Sequence, residues 1–180
     1  MKKMAFLPVI AGISLFLSLS LVQADDVKLK DARCRVYFSP DDECTDTIVK
    51  EINSAQSEIL LQAYAFTSEE IAAALVRAHK KGVHVEIILD KSNRSAKYTA
   101  GDVTAGMGIP TYIDSRHAIA NNKIMVIDGI IVVTGSFNFT KAAEEKNAEN
   151  ILIIRNKDLA GVYLGNWQRH KAHAEKFVRR

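Results

Sequence analysis

The residues with the greatest chemical potential lie in one short stretch of the chain. Asn121 and Lys123 are two positions apart, and Ser136 and Asn138 repeat that spacing after an intervening Asp128. Lysine, serine and asparagine side chains can all donate hydrogen bonds to an oxyanion. Taken singly they have ordinary explanations, because an isolated strand lysine is usually solvated and Ser-Phe-Asn-Phe could form a turn and core. Their joint spacing favours a functional site.

This spacing resembles the signature of the phospholipase D superfamily, H-x-K-x4-D-x6-G-S-x-N, at every position except the first. The six positions are filled, in order, by Asn121, Lys123, Asp128, Gly135, Ser136 and Asn138. The segments 62–67, 139–144 and 147–150 also resemble the small periplasmic endonucleases of that family. The resemblance implies an α/β fold, a mixed β-sheet flanked by α-helices on both faces, with one motif per chain. It further implies a homodimer whose site lies at the two-fold interface.

The resemblance also implies a role for each residue that matches the motif. Lys123 and Asn138 would hold phosphate oxygens, with the Ser136 hydroxyl in the same pocket. Glu149 matches the carboxylate that orients the family's catalytic histidine. Asp128, at a predicted turn, is interpreted as structural. The family forms a phosphohistidine and needs neither a metal nor another cofactor.

Asn121 departs from the family at the catalytic position. A carboxamide has no lone pair basic enough to attack phosphorus and no proton acidic enough to assist a leaving group. A homodimer would carry Asn121 in both halves of the site, so the chain is predicted to be strongly impaired or inactive. His117 is the nearest alternative, but four residues of extended strand would separate the two by about 13 Å. We therefore interpret His117 as a rim residue.

The remaining histidines give a weaker signal. His170 and His173 are three residues apart on a predicted helix and could share a metal ion. The sequence offers no carboxylate or cysteine at matching spacing, so a basic solvated face with neighbouring lysines and arginines is favoured. We predict no metal site from this pattern. Such a face could contact a nucleic-acid backbone.

The N-terminus predicts export. Lys2 and Lys3 precede an apolar run that ends in Val22-Gln23-Ala24, which is typical of a signal peptide over residues 1–24. The alternative is a membrane anchor, but the small residues at the exit favour cleavage with no anchor remaining. Residues 25–180 are then long enough for one domain, located in the periplasm or secreted. In that oxidising compartment Cys34 and Cys44 are candidates for a local disulfide, with two free thiols as the alternative.

Short β-rich runs alternate with helical segments along the mature chain, which predicts an α/β sheet with helices on its faces. Asp128-Gly129 between two apolar runs is a strong hairpin signal. Strands are predicted at 34–38, 58–66, 83–89, 111–113, 123–127, 130–134 and 150–154. Helices are predicted at 42–54, from a Thr67 cap to Gly82, at 95–107, at 140–146 and at 158–177.

Three functions follow as hypotheses. The first is a nonspecific, metal-independent endonuclease lineage acting on DNA, with RNA as a further candidate substrate, disabled by Asn121. The second is a non-catalytic module that binds nucleic acid or another phosphodiester. The third, ranked lower because the mature chain shows no spare amphipathic stretch, is a phospholipase D acting on lipid.

Overall fold

The computed structural model describes residues 24–96 and 99–178. The predicted signal peptide lies outside the described residues except for Ala24. In the described part of the chain, eight strands form one sheet: β1 Arg33–Ser39, β2 Glu58–Ala63, β3 His84–Asp90, β4 Thr111–Asp114, β5 Lys123–Ile127, β6 Ile131–Gly135, β7 Glu149–Arg155 and β8 Glu175–Lys176. The helices are α1 Cys44–Ser54, α2 Glu69–Lys80, α3 Ala100–Gly106, α4 Lys141–Glu145 and α5 Lys157–Lys171.

The strand order is β1-β7-β6-β5-β2-β3-β4-β8. The three strands β2, β3 and β4 are parallel, and every other neighbouring pair is antiparallel. This mixed sheet confirms the predicted α/β class. The Asp128-Gly129 hairpin also forms, with φ angles of 54° and 62° that suit these two residue types.

The side chains of each strand alternate between two cores. One core packs α1, α2 and α3 against the sheet through residues such as Ile48, Leu75 and Ile87. The other packs α5 against the opposite face around Trp167, whose indole N–H donates to the Leu61 carbonyl at 3.0 Å. Helices therefore cover both faces, as expected. Among the described residues no helix is both long enough and apolar enough to cross a membrane.

Two of the helix predictions are wrong because tertiary contacts override local pattern. The predicted helix 95–107 is a 3-10 turn at Lys91–Arg94 followed by the shorter α3, whose cap is Thr99. Asn93 donates from its side chain to the Tyr64 and Asp90 carbonyls, at 2.6 Å and 3.1 Å, and so ties this segment to the strand ends.

The predicted helix 158–177 also stops early. It ends at Lys171, and the chain then pairs as β8 with the exposed edge of β4, where the Phe177 amide donates to the Thr111 carbonyl at 2.8 Å. The strand predicted to reach Phe66 ends at Ala63. The cap of α2 is Ser68 rather than Thr67, since the Ser68 hydroxyl accepts from the Ile71 amide.

The two cysteines are free, so the predicted disulfide is not formed. Cys34 lies on the exposed side of the edge strand β1, whereas Cys44 is fully buried at the start of α1. The two side chains thus face different environments. Burial, together with the Glu144 and Asp42 carboxylates, raises the pKa of the Cys44 thiol to about 11, so it stays protonated and unreactive.

Candidate active site

The residues of the motif meet at one edge of the sheet. Lys123 begins β5, Gly135 ends β6 and Glu149 begins β7, and these three strands are antiparallel neighbours. The start of one strand therefore lies beside the end of the next. Ser136 and Asn138 follow β6 directly and so project from the same edge. The pairing of β5, β6 and β7 thus brings together residues that are up to 26 positions apart in the sequence.

Gly135 is required by a close approach of two backbones. A Cβ atom at this position would lie 2.1 Å from the Asn150 carbonyl oxygen and 3.0 Å from the Ile151 Cα. Because no side chain fits there, β6 can turn against β7 only with glycine. The turn places Ser136 next to Asn150, where the Ser136 amide donates to the Asn150 carbonyl at 3.1 Å.

Lys123 is the principal cation of the site. Its ammonium donates to the backbone carbonyl of Asn121 at 2.8 Å and also to the Asn121 side-chain oxygen. It stands 5.3 Å from the centre of the Tyr64 ring, a cation–π contact. Burial lowers the pKa of Lys123, and the nearby Glu149 carboxylate partly offsets this effect. Sequence reasoning did not single out Tyr64, although the residue lies in the 62–67 segment that carries the resemblance.

Ser136 and Asn138 differ in how far they are satisfied. The exposed Ser136 hydroxyl makes two hydrogen bonds with Asn150. It donates to the Asn150 side-chain oxygen and accepts from the Asn150 backbone amide, each at 3.1 Å. Within the described residues, the Asn138 amide oxygen is buried and has no hydrogen-bond partner. The oxygen and nitrogen of a carboxamide exchange places by rotation, so Asn138 can turn its N–H donors toward an anion.

The two acids of the motif region serve different parts of the molecule. Glu149 accepts from the Asn147 side chain at 3.2 Å and contributes negative charge near Lys123. Asp128 lies at the hairpin, and its carboxylate accepts from the amides of Gln56, Ser57 and Glu58 and from the Ser57 hydroxyl. Its contacts are with the backbone that leads into β2, which makes its role structural.

The sequence suggested that His117 is an isolated rim residue, but in the structure it packs against other histidines. Its ring packs 4.9 Å from that of His170 and 5.4 Å from that of His173, and all three histidines surround the buried carboxylate of Asp114. The prediction that His170 and His173 lack a carboxylate partner is wrong, because Asp114 reaches them from β4, far from α5 along the chain. The His117 side chain is thus engaged in a separate cluster.

Comparison with known proteins decides the family. The family model described as "Cardiolipin synthase, PLD-like domain" matches residues 48–170. The phospholipase D of Rickettsia conorii is 40% identical over 145 residues, which cover 81% of this chain and 72% of the relative. This chain belongs to the phospholipase D superfamily. The resemblance inferred from the motif is thereby confirmed.

Solved phospholipase D structures share the fold. Nuc from Salmonella typhimurium, a phospholipase D family member, superposes with a TM-score of 0.79 at 37% identity, covering 82% of this chain and 99% of Nuc. NucT from Helicobacter pylori superposes with a TM-score of 0.71 at 22% identity, covering 82% of this chain and all of NucT, which supports the fold alone. The mixed sheet and its flanking helices are therefore a phospholipase D fold with one motif per chain.

Proposed function

We propose that this chain descends from metal-independent phospholipase D endonucleases and binds DNA, with RNA as a second candidate, but cleaves it weakly or not at all. The observation that carries the proposal is the contact between Lys123 and Asn121. The ammonium is held against a side-chain amide oxygen at the position where the family has its catalytic histidine. Side chains that can donate hydrogen bonds to a phosphate remain beside a position that lacks a nucleophile.

The chemistry explains the expected loss. Attack on a phosphodiester needs a nucleophile, cations that offset charge on the oxygens, and an acid that protonates the departing alkoxide. Lys123, Ser136 and Asn138 can supply the electrostatic part. Asn121 supplies neither the nucleophile nor the acid, and loss of general acid help alone costs about 10²- to 10⁴-fold. A homodimer with one motif from each chain would repeat the deficit in both halves.

Basic residues near the site favour a nucleic-acid backbone as the ligand. Exposed Lys91 donates to the His117 carbonyl at 3.1 Å, and Arg116 is exposed in the same loop that leads to Asn121. Both lie at the sheet edge that carries Lys123, since β3 and β4 end there. Cations spaced along an edge suit a repeating phosphate chain and give binding that weakens with salt.

The decisive test is plasmid nicking by the purified protein and by its Asn121→His variant, each with and without EDTA. We expect cutting by Asn121→His only, with and without the chelator. Asn122→His is the matched control, because it adds a histidine one position away and should stay silent. A folded Asn121→His protein that fails to cut would contradict the assignment of the site, and equal cutting by the unmodified chain would contradict the role of Asn121.

A lipid phosphodiester is the second candidate ligand, because the rickettsial relatives carry the name phospholipase D. The same Asn121→His protein should be offered vesicles of phosphatidylcholine and of cardiolipin. Release of headgroup at a rate above that of DNA cutting would favour lipid over nucleic acid. No release, with DNA cut, is the expected result.

A further inference from the structure

Outside the phosphate site, the described chain brings three histidines and one aspartate to a single point. Asp114 ends β4, His117 lies in the following loop, His170 is in the last turn of α5, and His173 follows that helix. One ligand atom from each lies within 4.8 Å of the others. Two pairs, each three residues apart, thus converge from distant parts of the sequence.

The carboxylate is the centre of this group. Asp114 is fully buried, with its Oδ2 atom 2.7 Å from His170 Nδ1 and 3.8 Å from His117 Nε2. Its Oδ1 atom lies 3.2 Å from His173 Nε2 and accepts from the Arg116 amide at 3.1 Å.

Hydrogen bonding alone leaves this arrangement incomplete. Although His173 Nε2 is near the carboxylate, it is buried and has no well-aligned hydrogen-bond partner among the described residues. One nitrogen of each of the three rings and one oxygen of the Asp114 carboxylate face a common point. A cation at the centre would give each nitrogen lone pair and the carboxylate a partner.

We propose that Asp114, His117, His170 and His173 form a structural zinc site. Zinc takes four ligands in a tetrahedron, with imidazole and carboxylate atoms about 2.0–2.2 Å from the metal and therefore roughly 3.3 Å from one another. The longest separations in the cluster, up to 4.8 Å, need to shorten by about 1.5 Å to meet that geometry, and the 2.7 Å contact of His170 Nδ1 with Asp114 Oδ2 needs to widen. Hard cations such as magnesium and calcium prefer an all-oxygen shell, so a site rich in imidazole selects a transition metal.

With four protein ligands the site is closed, which is the arrangement of structural zinc rather than catalytic zinc. The ion would join the end of β4, the end of α5 and the loop 115–122. That loop contains Asn121, and its Ala120 amide is already fixed by the Asp90 carboxylate at 2.7 Å. Zinc would therefore hold the start of this loop at His117, while the contact of Ala120 with Asp90 holds its end without metal, and zinc would take no part in phosphate chemistry.

The test is direct zinc binding by the tag-free protein, first stripped with a chelator and then titrated with zinc sulfate in a calorimeter. We expect about one zinc ion per chain, a rise in melting temperature on loading, and visible d–d absorption typical of tetrahedral cobalt when cobalt replaces zinc. His117→Ala is the principal variant. The His117 side chain is 42% exposed in a loop, so the fold should tolerate its loss.

His117→Ala and His170→Ala should each weaken zinc binding at least tenfold, because ligand loss opens the tetrahedron. His84→Ala is the matched control, since that exposed histidine contacts Glu86 elsewhere on β3 and should leave affinity unchanged. Folded protein that takes up no zinc would overturn the proposal. So would zinc binding that survives both His117→Ala and His170→Ala. Neither readout depends on whether the phosphate site cuts DNA.

Discussion

A carboxamide at position 121 removes two chemical functions and leaves a third intact. Attack on phosphorus and protonation of the leaving group both need an imidazole, whereas holding a phosphate needs only donors and positive charge. Lys123 retains its charge next to the Tyr64 ring, and Asn138 retains a carboxamide whose buried oxygen has no partner among the described residues. The proposed function therefore separates phosphate binding from cleavage in this molecule.

Replacing Lys123 by alanine should weaken binding to duplex DNA and reduce its dependence on salt. Each phosphate contact that is lost lowers the slope of log affinity against log salt by about one. Fluorescence anisotropy across a salt series measures both quantities. Lys157→Ala is the control, because Lys157 is exposed and begins α5 next to the closed end of the hairpin. That position lies at the opposite ends of the strands from Lys123. Equal slopes of log affinity against log salt for the two variants would show that Lys123 is not part of the binding site.

Among the elements, the hairpin of β5 and β6 positions the site through both of its ends. At its open end, Lys123 and Gly135 begin and finish the two strands, and the contact of Gly135 with Asn150 sets how closely β7 approaches. At its closed end, the Asp128 carboxylate binds the backbone before β2. Burial opposes ionisation of Asp128, but hydrogen bonds from Glu58, Gln56 and Ser57 outweigh it and lower the pKa.

Asp128→Asn should destabilise the protein by about 1–3 kcal/mol at pH 7, because a carboxylate that accepts several amide hydrogen bonds becomes a neutral amide. Asparagine tolerates the left-handed φ, so the turn itself is retained. The pKa of Asp128 is lower in the folded state than its ordinary value of about 3.9. Its contribution is therefore complete above that value and is lost as the pH falls through the folded-state pKa.

Urea unfolding at pH 7, 5 and 3 checks this prediction. The difference in the free energy of unfolding between the two proteins should be the same at pH 7 and 5 and should narrow toward pH 3. Asp158→Asn, an exposed substitution in the first turn of α5, is the control and should show a small difference. If the difference in the free energy of unfolding stays constant down to pH 3, the charge of Asp128 is not the cause of the destabilisation.

For the whole molecule, the main question is how one motif per chain builds a complete site. We propose a homodimer in which each chain supplies one Lys123, one Asn138 and one residue at position 121. The resemblance implies that attack and protonation are divided between two histidines, so each chain of the proposed dimer would supply one of these two groups. The unmodified chain should then interfere with a chain that carries the histidine.

Mixing unmodified protein into Asn121→His protein, with co-refolding to exchange subunits, should lower plasmid nicking below the value expected from dilution. Mixed dimers keep one histidine and lose the second, which should cost about 10²- to 10⁴-fold. The control is the same amount of an unrelated protein added to Asn121→His. Nicking that simply follows the amount of Asn121→His would show that a single chain is sufficient. Analytical ultracentrifugation of each sample should report dimers.

The sequence by itself determined the family, the α/β class, the hairpin and which motif residues meet at the candidate site. Each of these depends on local spacing, since Asp128-Gly129 sets its own turn and the motif lies within 18 consecutive residues, 121–138. Such information survives in a one-dimensional pattern because the relevant contacts are close along the chain.

Tertiary structure alone decided the rest. β8 replaces the end of a predicted helix because the free edge of β4 is available for pairing, and Cys44 is separated from Cys34 because α1 turns it into the core. Asp114 and His117 meet His170 and His173 because α5 crosses the sheet and ends above β4, a contact between residues 56 positions apart. Local sequence patterns do not specify such contacts, because the contacts form only when elements that are far apart along the chain pack together.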